Sequence, residues 1–237
     1  MSDLDIKPIE IEELKKRDLT YSEISLKRDG TLMYFRDGHL VSARGIVRDD
    51  RYPHILKLLK DNDFPNCFGE MYVEGGNVLD INSKDNWKGA KFMPIDMEHS
   101  EIYSVRQLAL IEKIRETNSD FITQKIIFTD INLAWDLVVK EKLEGLVIKD
   151  KRELFKCKLL QEAKIEIIGH EPSKEKGTFL LVNNNRISGT SRDFVQKFKD
   201  IKAQGKIPIA EIEYCFITKD NHYFQPRLRR IETKENL

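Results

Sequence analysis

The run Glu23-Ile-Ser-Leu-Lys-Arg-Asp-Gly-Thr-Leu-Met-Tyr-Phe35 organises the reading of this chain. Ile24 and Leu26 alternate with Ser25 and Lys27, the period of a half-buried strand, so Lys27 is delivered to the polar side. Asp29-Gly30 is a strong turn signal, and a second apolar run, Thr31 to Phe35, follows at once. A lysine hairpin is therefore expected over residues 22 to 45, with a further turn at Arg36-Asp-Gly-His39. A lysine at the mouth of a hairpin, beside a carboxylate, can act as a nucleophile once its amine sheds a proton. Desolvation or neighbouring cations can bring that about.

At 237 residues and 27.8 kDa the chain suits one large domain or two small ones. Apolar residues make up 40%, enough for a core, and no segment approaches membrane-spanning length. The stretch Met1-Ser-Asp-Leu-Asp-Ile-Lys7 has no apolar signal region, so a cytosolic protein is expected, cellular or virus-encoded. Cys67, Cys157 and Cys215 are too few and too scattered for a disulfide framework or a zinc site. Net charge is zero, yet its distribution is uneven. From Lys149 onward 19 Lys and Arg face 13 Asp and Glu, a net +6, and the remainder carries −6. Such a back third can present a phosphate-binding face.

Periodicity predicts a short helix over 11–17 and helices over 53–60, 104–117, 133–143 and 191–201, with Asp130 or Asn132 capping the fourth. Strands are expected over 68–73, 91–97, 121–128, 145–149 and 154–159. After Lys164 come shorter β-type runs over 165–169, 178–182, 209–217 and 223–231. The clean alternation of Ile212, Tyr214 and Phe216 with Glu211, Glu213 and Cys215 fits a small barrel of about five strands. The domain boundary is placed near Leu160, giving units of residues 1–160 and 161–237.

Residues able to partner Lys27 follow in order. Glu70 stands in Phe-Gly-Glu-Met-Tyr-Val, Phe92 in Lys-Phe-Met-Pro-Ile-Asp, and Glu144 in Glu-Gly-Leu-Val-Ile-Lys. Lys156 and Lys158, two apart on a strand, share one face while Phe155 and Cys157 take the other. Each alone has an ordinary structural explanation. Together, Lys-x-Asp-Gly, Gly-Glu, an aromatic, Glu-Gly-Leu-Val-x-Lys and Lys-x-Lys resemble the collinear motifs of covalent nucleotidyltransferases. That superfamily includes ATP-dependent DNA ligases, RNA ligases and mRNA capping enzymes. Leu159 to Lys174 is similar to the start of the OB-fold in small ATP-dependent DNA ligases, and Pro226-Arg-Leu-Arg-Arg-Ile-Glu232 resembles their last motif.

The resemblance implies an α+β chain: an adenylation domain of ATP-grasp-like antiparallel sheets with helices, then a small OB-fold β-barrel. It implies a minimal ATP-dependent DNA ligase that binds nicked duplex DNA, acts as a monomer and serves DNA replication and repair. Lys27 would attack the α-phosphorus of ATP and carry AMP, with Asp29 and Gly30 beside it. Glu70 would contact the ribose, Phe92 would stack on adenine, and Glu144 would help hold Mg2+, for which Mn2+ can substitute. Lys156 and Lys158 would grip the α-phosphate and offset developing charge as catalytic partners of Lys27. No Gly-x-x-x-x-Gly-Lys-Ser/Thr loop is present, so phosphate handling falls to these side chains.

Four positions depart from the family pattern. Leu32 stands where many relatives have Arg, and Arg44, in Ser42-Ala43-Arg44, is a shifted candidate for the phosphate or ribose. Ile95 precedes Asp96 where an aromatic is usual, which makes Phe92 a displaced candidate for the base. The last motif ends Arg230-Ile-Glu232-Thr-Lys234, so Arg227, Arg230 and Lys234 all compete for the pyrophosphate. An RNA ligase is the nearest alternative, but RNA ligases generally carry other C-terminal domains. A capping guanylyltransferase would use GTP, and a non-catalytic OB module that binds single strands would not need the ordered motifs.

Overall fold

Lys27 ends one sheet, and Thr31 begins another. This is seen in a computed structural model that describes residues 6–83, 87–98, 102–150, 153–172, 178–182, 185–188 and 190–234. The chain divides into two compact units, Met1–Cys157 and Lys158–Leu237. The first runs β1 (Ile6–Pro8), α1 (Ile11–Leu14), β2 (Glu23–Lys27), β3 (Thr31–Arg36), β4 (His39–Ser42), α2 (Pro53–Asp61) and β5 (Cys67–Val73). It continues with α3 (Val78–Asn82), β6 (Ala90–Met97), α4 (Tyr103–Thr117), β7 (Ile127–Phe128), α5 (Ile131–Glu141), β8 (Gly145–Asp150) and β9 (Glu153–Lys158).

These strands make a five-stranded sheet, β1-β9-β8-β2-β7, and a four-stranded antiparallel sheet, β4-β3-β5-β6. The hairpin expected from Lys27 to Phe35 is therefore corrected. β2 pairs with β7 and β8, while β3 pairs with β4 and β5, and residues 28–30 cross between sheets. Gly30 makes the crossing feasible. A Cβ there would lie 2.2 Å from the Met71 carbonyl oxygen, so only glycine lets the chain come in beside β5. The true hairpin is β3–β4, whose turn residues Asp37 and Gly38 both have positive φ, at 50° and 77°.

Strand alternation then sorts each face. Met33 and Phe35 of β3, Cys67 and Met71 of β5 and Phe92 of β6 join a core closed by Ile55 and Leu59 of α2 and Leu110 and Ile114 of α4. On the five-stranded sheet α5 packs against β2 and β8. Its Ala134 and Val138 are buried, and the Asp130 side chain accepts hydrogen bonds from the backbone of Asn132 and Leu133 to cap its start. Of the expected strand over 121–128, Ile127–Phe128 forms β7 beside β2, the Ile126 carbonyl accepts from the Leu26 amide, and residues 121 and 123 bond Phe92 of β6 instead; α1 is a single turn.

The second unit contains β10 (Gln161–Glu166), β11 (Gly169–Pro172), β12 (Thr178–Val182), β13 (Asn185–Ile187), α6 (Arg192–Ala203), β14 (Ile207–Tyr214) and β15 (Arg227–Lys234). Ser173 and Lys174, at the end of the run likened to an OB-fold start, lie outside the described residues. Two three-stranded sheets result, β10-β14-β15 and β11-β12-β13, with no closed barrel among the described residues. The chain passes between them within two residues. The Ile167 amide donates to the Pro208 carbonyl, and the Ile168 amide to that of Leu181. A single bridge joins Ser188 to Arg227. Ile167, Leu180, Ile187, Ala210, Ile212 and Ile231 form the core, against which α6 sets Phe198 and Ile201.

Candidate active site

A cavity of about 330 Å³ lies between the two sheets of the first unit. Register arranges its walls in rows. On the five-stranded sheet Lys27 faces Gly145, Ser25 faces Val147, and Glu23 faces Lys149. On the other sheet Leu32, Glu70 and Met93 lie side by side, as do Tyr34, Phe68 and Asp96. Lys27, Ser25 and Glu23 all line the cavity, because a period of two puts them on one face of β2.

The Lys27 end is charged. Its Nζ donates to Oε2 of Glu144 at 2.7 Å, with side chains only 23% and 9% exposed. Glu144 reaches this position because it immediately precedes Gly145, the residue paired with Lys27. Burial pushes the Glu70 carboxyl up to about 7. Lys27 opposes that rise, the negative charges of Glu144 and Asp29 add to it, and the Gly30 amide steadies the carboxylate. One primary amine beside two half-buried carboxylates offers a nucleophile with a proton acceptor already in contact.

The opposite end is a tight polar cluster. Glu23 accepts from Lys125 Nζ at 2.6 Å and from the Tyr103 hydroxyl at 2.9 Å. Asp96 holds Arg106 through two bonds of 2.8 and 2.7 Å. Lys149 Nζ stands 2.9 Å from the centre of the Tyr103 ring, a cation–π contact, and burial lowers its pKa. Burial, then Glu23, raises that of the Tyr103 hydroxyl. Between the ends the walls are apolar, with Val147, Met93 and Ile95 prominent.

Of the residues singled out in the sequence, Lys27, Asp29, Gly30, Glu70 and Glu144 come together. Leu154 of β9 lines the cavity, and alternation puts Lys156 and Lys158 on its face of that strand, both half-buried. Phe92 does not join them, which corrects its assignment as a base platform. It is fully buried in the core, because alternation turns it away from Met93 and Ile95. A Cβ on Gly69 would come within 2.8 Å of the Phe92 ring, so Gly69 makes room for it. Arg44 is exposed in the turn after β4, where Ala43 rather than Arg44 lines the cavity. In the second unit Arg230 is engaged by Glu211 and Glu232 at 2.6 and 3.0 Å. Arg227 and Lys234 are exposed on the same strand, without an ion pair among the described residues.

Sequence reasoning passed over Glu23, Ser25, Val147 and Lys149. The same alternation that singled out Lys27 marks the first two, and Lys149 ends the Glu144 run. Tyr103 and Lys125 carry no local signal, since only the tertiary fold brings them to Glu23.

No protein-family model and no curated protein matches the chain. Solved structures do match. A Lig E DNA ligase, from work on DNA binding with a minimal scaffold, superposes with a TM-score of 0.68 at 16% identity, covering 97% of this chain and 100% of that one. The fold is that of the minimal DNA ligases. A protein designated Pmar-Lig gives 0.68 at 17% identity, over 95% of this chain and 67% of its own. The ligase domain of LigD from M. tuberculosis gives 0.51 at 17% identity, over 89% of each. The ligase fold is thus shared across chains that differ at more than four positions in five.

Proposed function

We propose that this chain is an ATP-dependent DNA ligase that seals nicks in duplex DNA through lysyl-AMP and DNA-adenylate. The observation that carries the reading is the Lys27 amine, bonded to Glu144 and close to Glu70 at the end of a small-molecule-sized cavity, in a chain with the ligase fold. Lys27 Nζ forms a bond to the α-phosphorus of ATP as the bond to the β-phosphate oxygen breaks and pyrophosphate leaves. Glu144 is the acceptor already hydrogen-bonded to Nζ when the amine sheds its proton. Glu70 contacts the ribose. Lys156 and Lys158 hold the α-phosphate, and Arg227 or Lys234, not committed to Glu211 as Arg230 is, orients the pyrophosphate.

Glu144, with substrate phosphates, is the kind of oxygen donor set that Mg2+ accepts, with Mn2+ as a substitute. Among the described residues no group of three or more His, Cys, Asp and Glu could hold a metal alone, which suits an ion shared with phosphate. When bound, that ion neutralises phosphate charge. AMP then passes to the 5′-phosphate of a nick, and the 3′-hydroxyl displaces it.

The second unit is read as an OB-type barrel that grips duplex phosphates. Its support is the strand order: taking β10 and β11 as one bent strand, the neighbours run β10/11, β12, β13, β15, β14 and back, with the Ser188–Arg227 bridge as the weakest link. We further propose a monomer working in the cytosol. No helix among the described residues is long and apolar enough to cross a membrane.

Incubation with α-labelled ATP, followed by nicked duplex, tests the reading. The wild type should gain one AMP and pass it to the nick, leaving sealed DNA. A protein that never takes label, or a Lys27→Ala variant that still does, would overturn it.

A further inference from the structure

A charged cluster just past Lys27 has no task in the chemistry above. On β5, Phe68, Glu70 and Tyr72 share one face, and Phe68 and Glu70 line the cavity. Tyr72 stands one row further out, beside Lys91 of β6, and Glu74 follows in the turn after the strand. Arg28 reaches this outer row from the crossing between the sheets. Its guanidinium lies over the Tyr72 ring, 4.8 Å from the centre, and its Nη1 donates to Glu74 Oε1 at 3.2 Å. Lys91 Nζ donates to the other oxygen of Glu74 at 3.4 Å. Two cations thus converge on one carboxylate beside the nucleophile. We propose that Arg28 and Lys91 form a binding site for a backbone phosphate of the nicked DNA, and that Glu74 occupies it as an internal stand-in until DNA arrives. This deepens the ligase reading and rests on it.

The cations are fixed and the carboxylate is not. Tyr72 is buried, and its hydroxyl lies 3.1 Å from the Thr123 hydroxyl, so the ring beneath Arg28 is held in place. A guanidinium stacked on an aromatic face keeps its planar fork of donors oriented, which suits phosphate oxygens. Glu74 is 55% exposed against 20% for Arg28, and both of its contacts are longer than the 2.7 Å between Lys27 and Glu144. An open carboxylate held by two long bonds gives little stability, so exchanging it for a phosphate costs little. A phosphate also offers enough oxygens to take both cations at once. Its source is set by location. Tyr72, Glu74 and Lys91 lie past the residues that line the cavity, so the ligand comes from outside, whereas Arg28 also lines the cavity and keeps the site next to Lys27.

The test measures binding of a fluorescent nicked duplex to the full-length protein by anisotropy, with magnesium omitted so that no sealing occurs. Glu74→Gln removes the stand-in and should tighten binding about 3- to 10-fold at low salt. Lys91→Ala should weaken it by a similar factor and lower the salt slope by about one. Asp61→Asn, as exposed as Glu74 and paired with Lys57, measures the effect of losing any one surface carboxylate. A Glu74→Gln variant that tightens no more than Asp61→Asn overturns the proposal. Duplexes that each carry one neutral methylphosphonate near the nick then locate the contact. One such replacement should weaken wild-type binding and leave Lys91→Ala binding nearly unchanged, and a series with no such position also overturns the site. Half-labelling by ATP is titrated in the same variants. Shifts there as large as those for DNA would assign the two cations to the triphosphate and refute the DNA contact. A protein that forms no lysyl-AMP yet shows the Glu74 and Lys91 effects on DNA refutes the ligase reading but not the site, and labelling without those effects does the reverse.

Discussion

Lys27 and Glu144 meet with side chains 23% and 9% exposed, whereas Arg230 meets Glu211 on an open sheet face at 57% and 20%. The groups are similar and the distances nearly equal, 2.7 and 2.6 Å. Water makes the difference. On the outer face Lys164 also reaches Glu232 and Arg229 reaches Glu213, so each charge has several neighbours and solvent to share it. In the cavity the pair is more shielded from water, so removing one partner costs more than it does on the open face. The inner pair is shielded, and the outer ladder spreads charge over a surface.

Substitutions at Lys27 should give the largest effect. Lys27→Arg keeps a cation against Glu144 but lacks a usable nucleophile, so labelling from ATP should fall at least about 10⁴-fold with a near-native melting temperature. Lys27→Ala should lose labelling equally and also melt lower, because the half-buried ion pair with Glu144 is lost. Equal melting of the two variants would erase the contrast between buried and open pairs.

Phe92→Ala comes next. Truncating a fully buried aromatic should cost about 3–5 kcal/mol in denaturant unfolding while leaving the ATP requirement of the folded fraction unchanged. A stable variant with a raised ATP requirement would return Phe92 to the nucleotide. Glu70 gives a smaller, pH-dependent effect. Its carboxyl is raised from 4.5 to about 7 in the folded protein, so its contribution to stability is present below about pH 4.5 and fades as pH climbs through 7. Relative to Glu70→Gln, the wild type should therefore lose on the order of 3 kcal/mol between pH 4.5 and 8. Parallel melting curves for the two proteins across that window would show that burial does not hold the carboxyl up.

The outer ladder supplies the smallest effect. Arg230→Ala should leave the melting temperature within experimental scatter and lysyl-AMP formation within about twofold, whereas Arg227→Ala or Lys234→Ala should slow it more. A large loss in Arg230→Ala alone would make the ladder part of the site.

Much of the site was legible because its signals are local. The alternation of β2 placed Lys27 on a polar face, and the same rule, applied two residues at a time, reaches Ser25 and Glu23. The Lys27-x-Asp29-Gly30 and Glu144-Gly-Leu-Val runs sit at strand ends, as their patterns imply. Long-range competition hid the rest. Asp29-Gly30 signals a hairpin equally well, and only the approach of Gly30 to the Met71 carbonyl shows that β5, not β2, captures β3. Phe92 looked like a ring available to a base because nothing local reveals that Gly69 was left bare to receive it. In the second unit the period-two pattern of β14 was plain, but the switch of sheets at Ile167 and Ile168 depends on partners distant in sequence.

The crossing at residues 28–30 also orders events as the chain leaves the ribosome. The four-stranded sheet draws only on residues 31–97 and can close soon after they emerge. β2, synthesised before them, must wait for β8, and Lys27 gains Glu144 across 117 intervening steps of sequence. A nascent chain stalled before that point carries one finished wall of the cavity and a Lys27 without Glu144. The Lys27–Glu144 pair is therefore completed well after the four-stranded sheet.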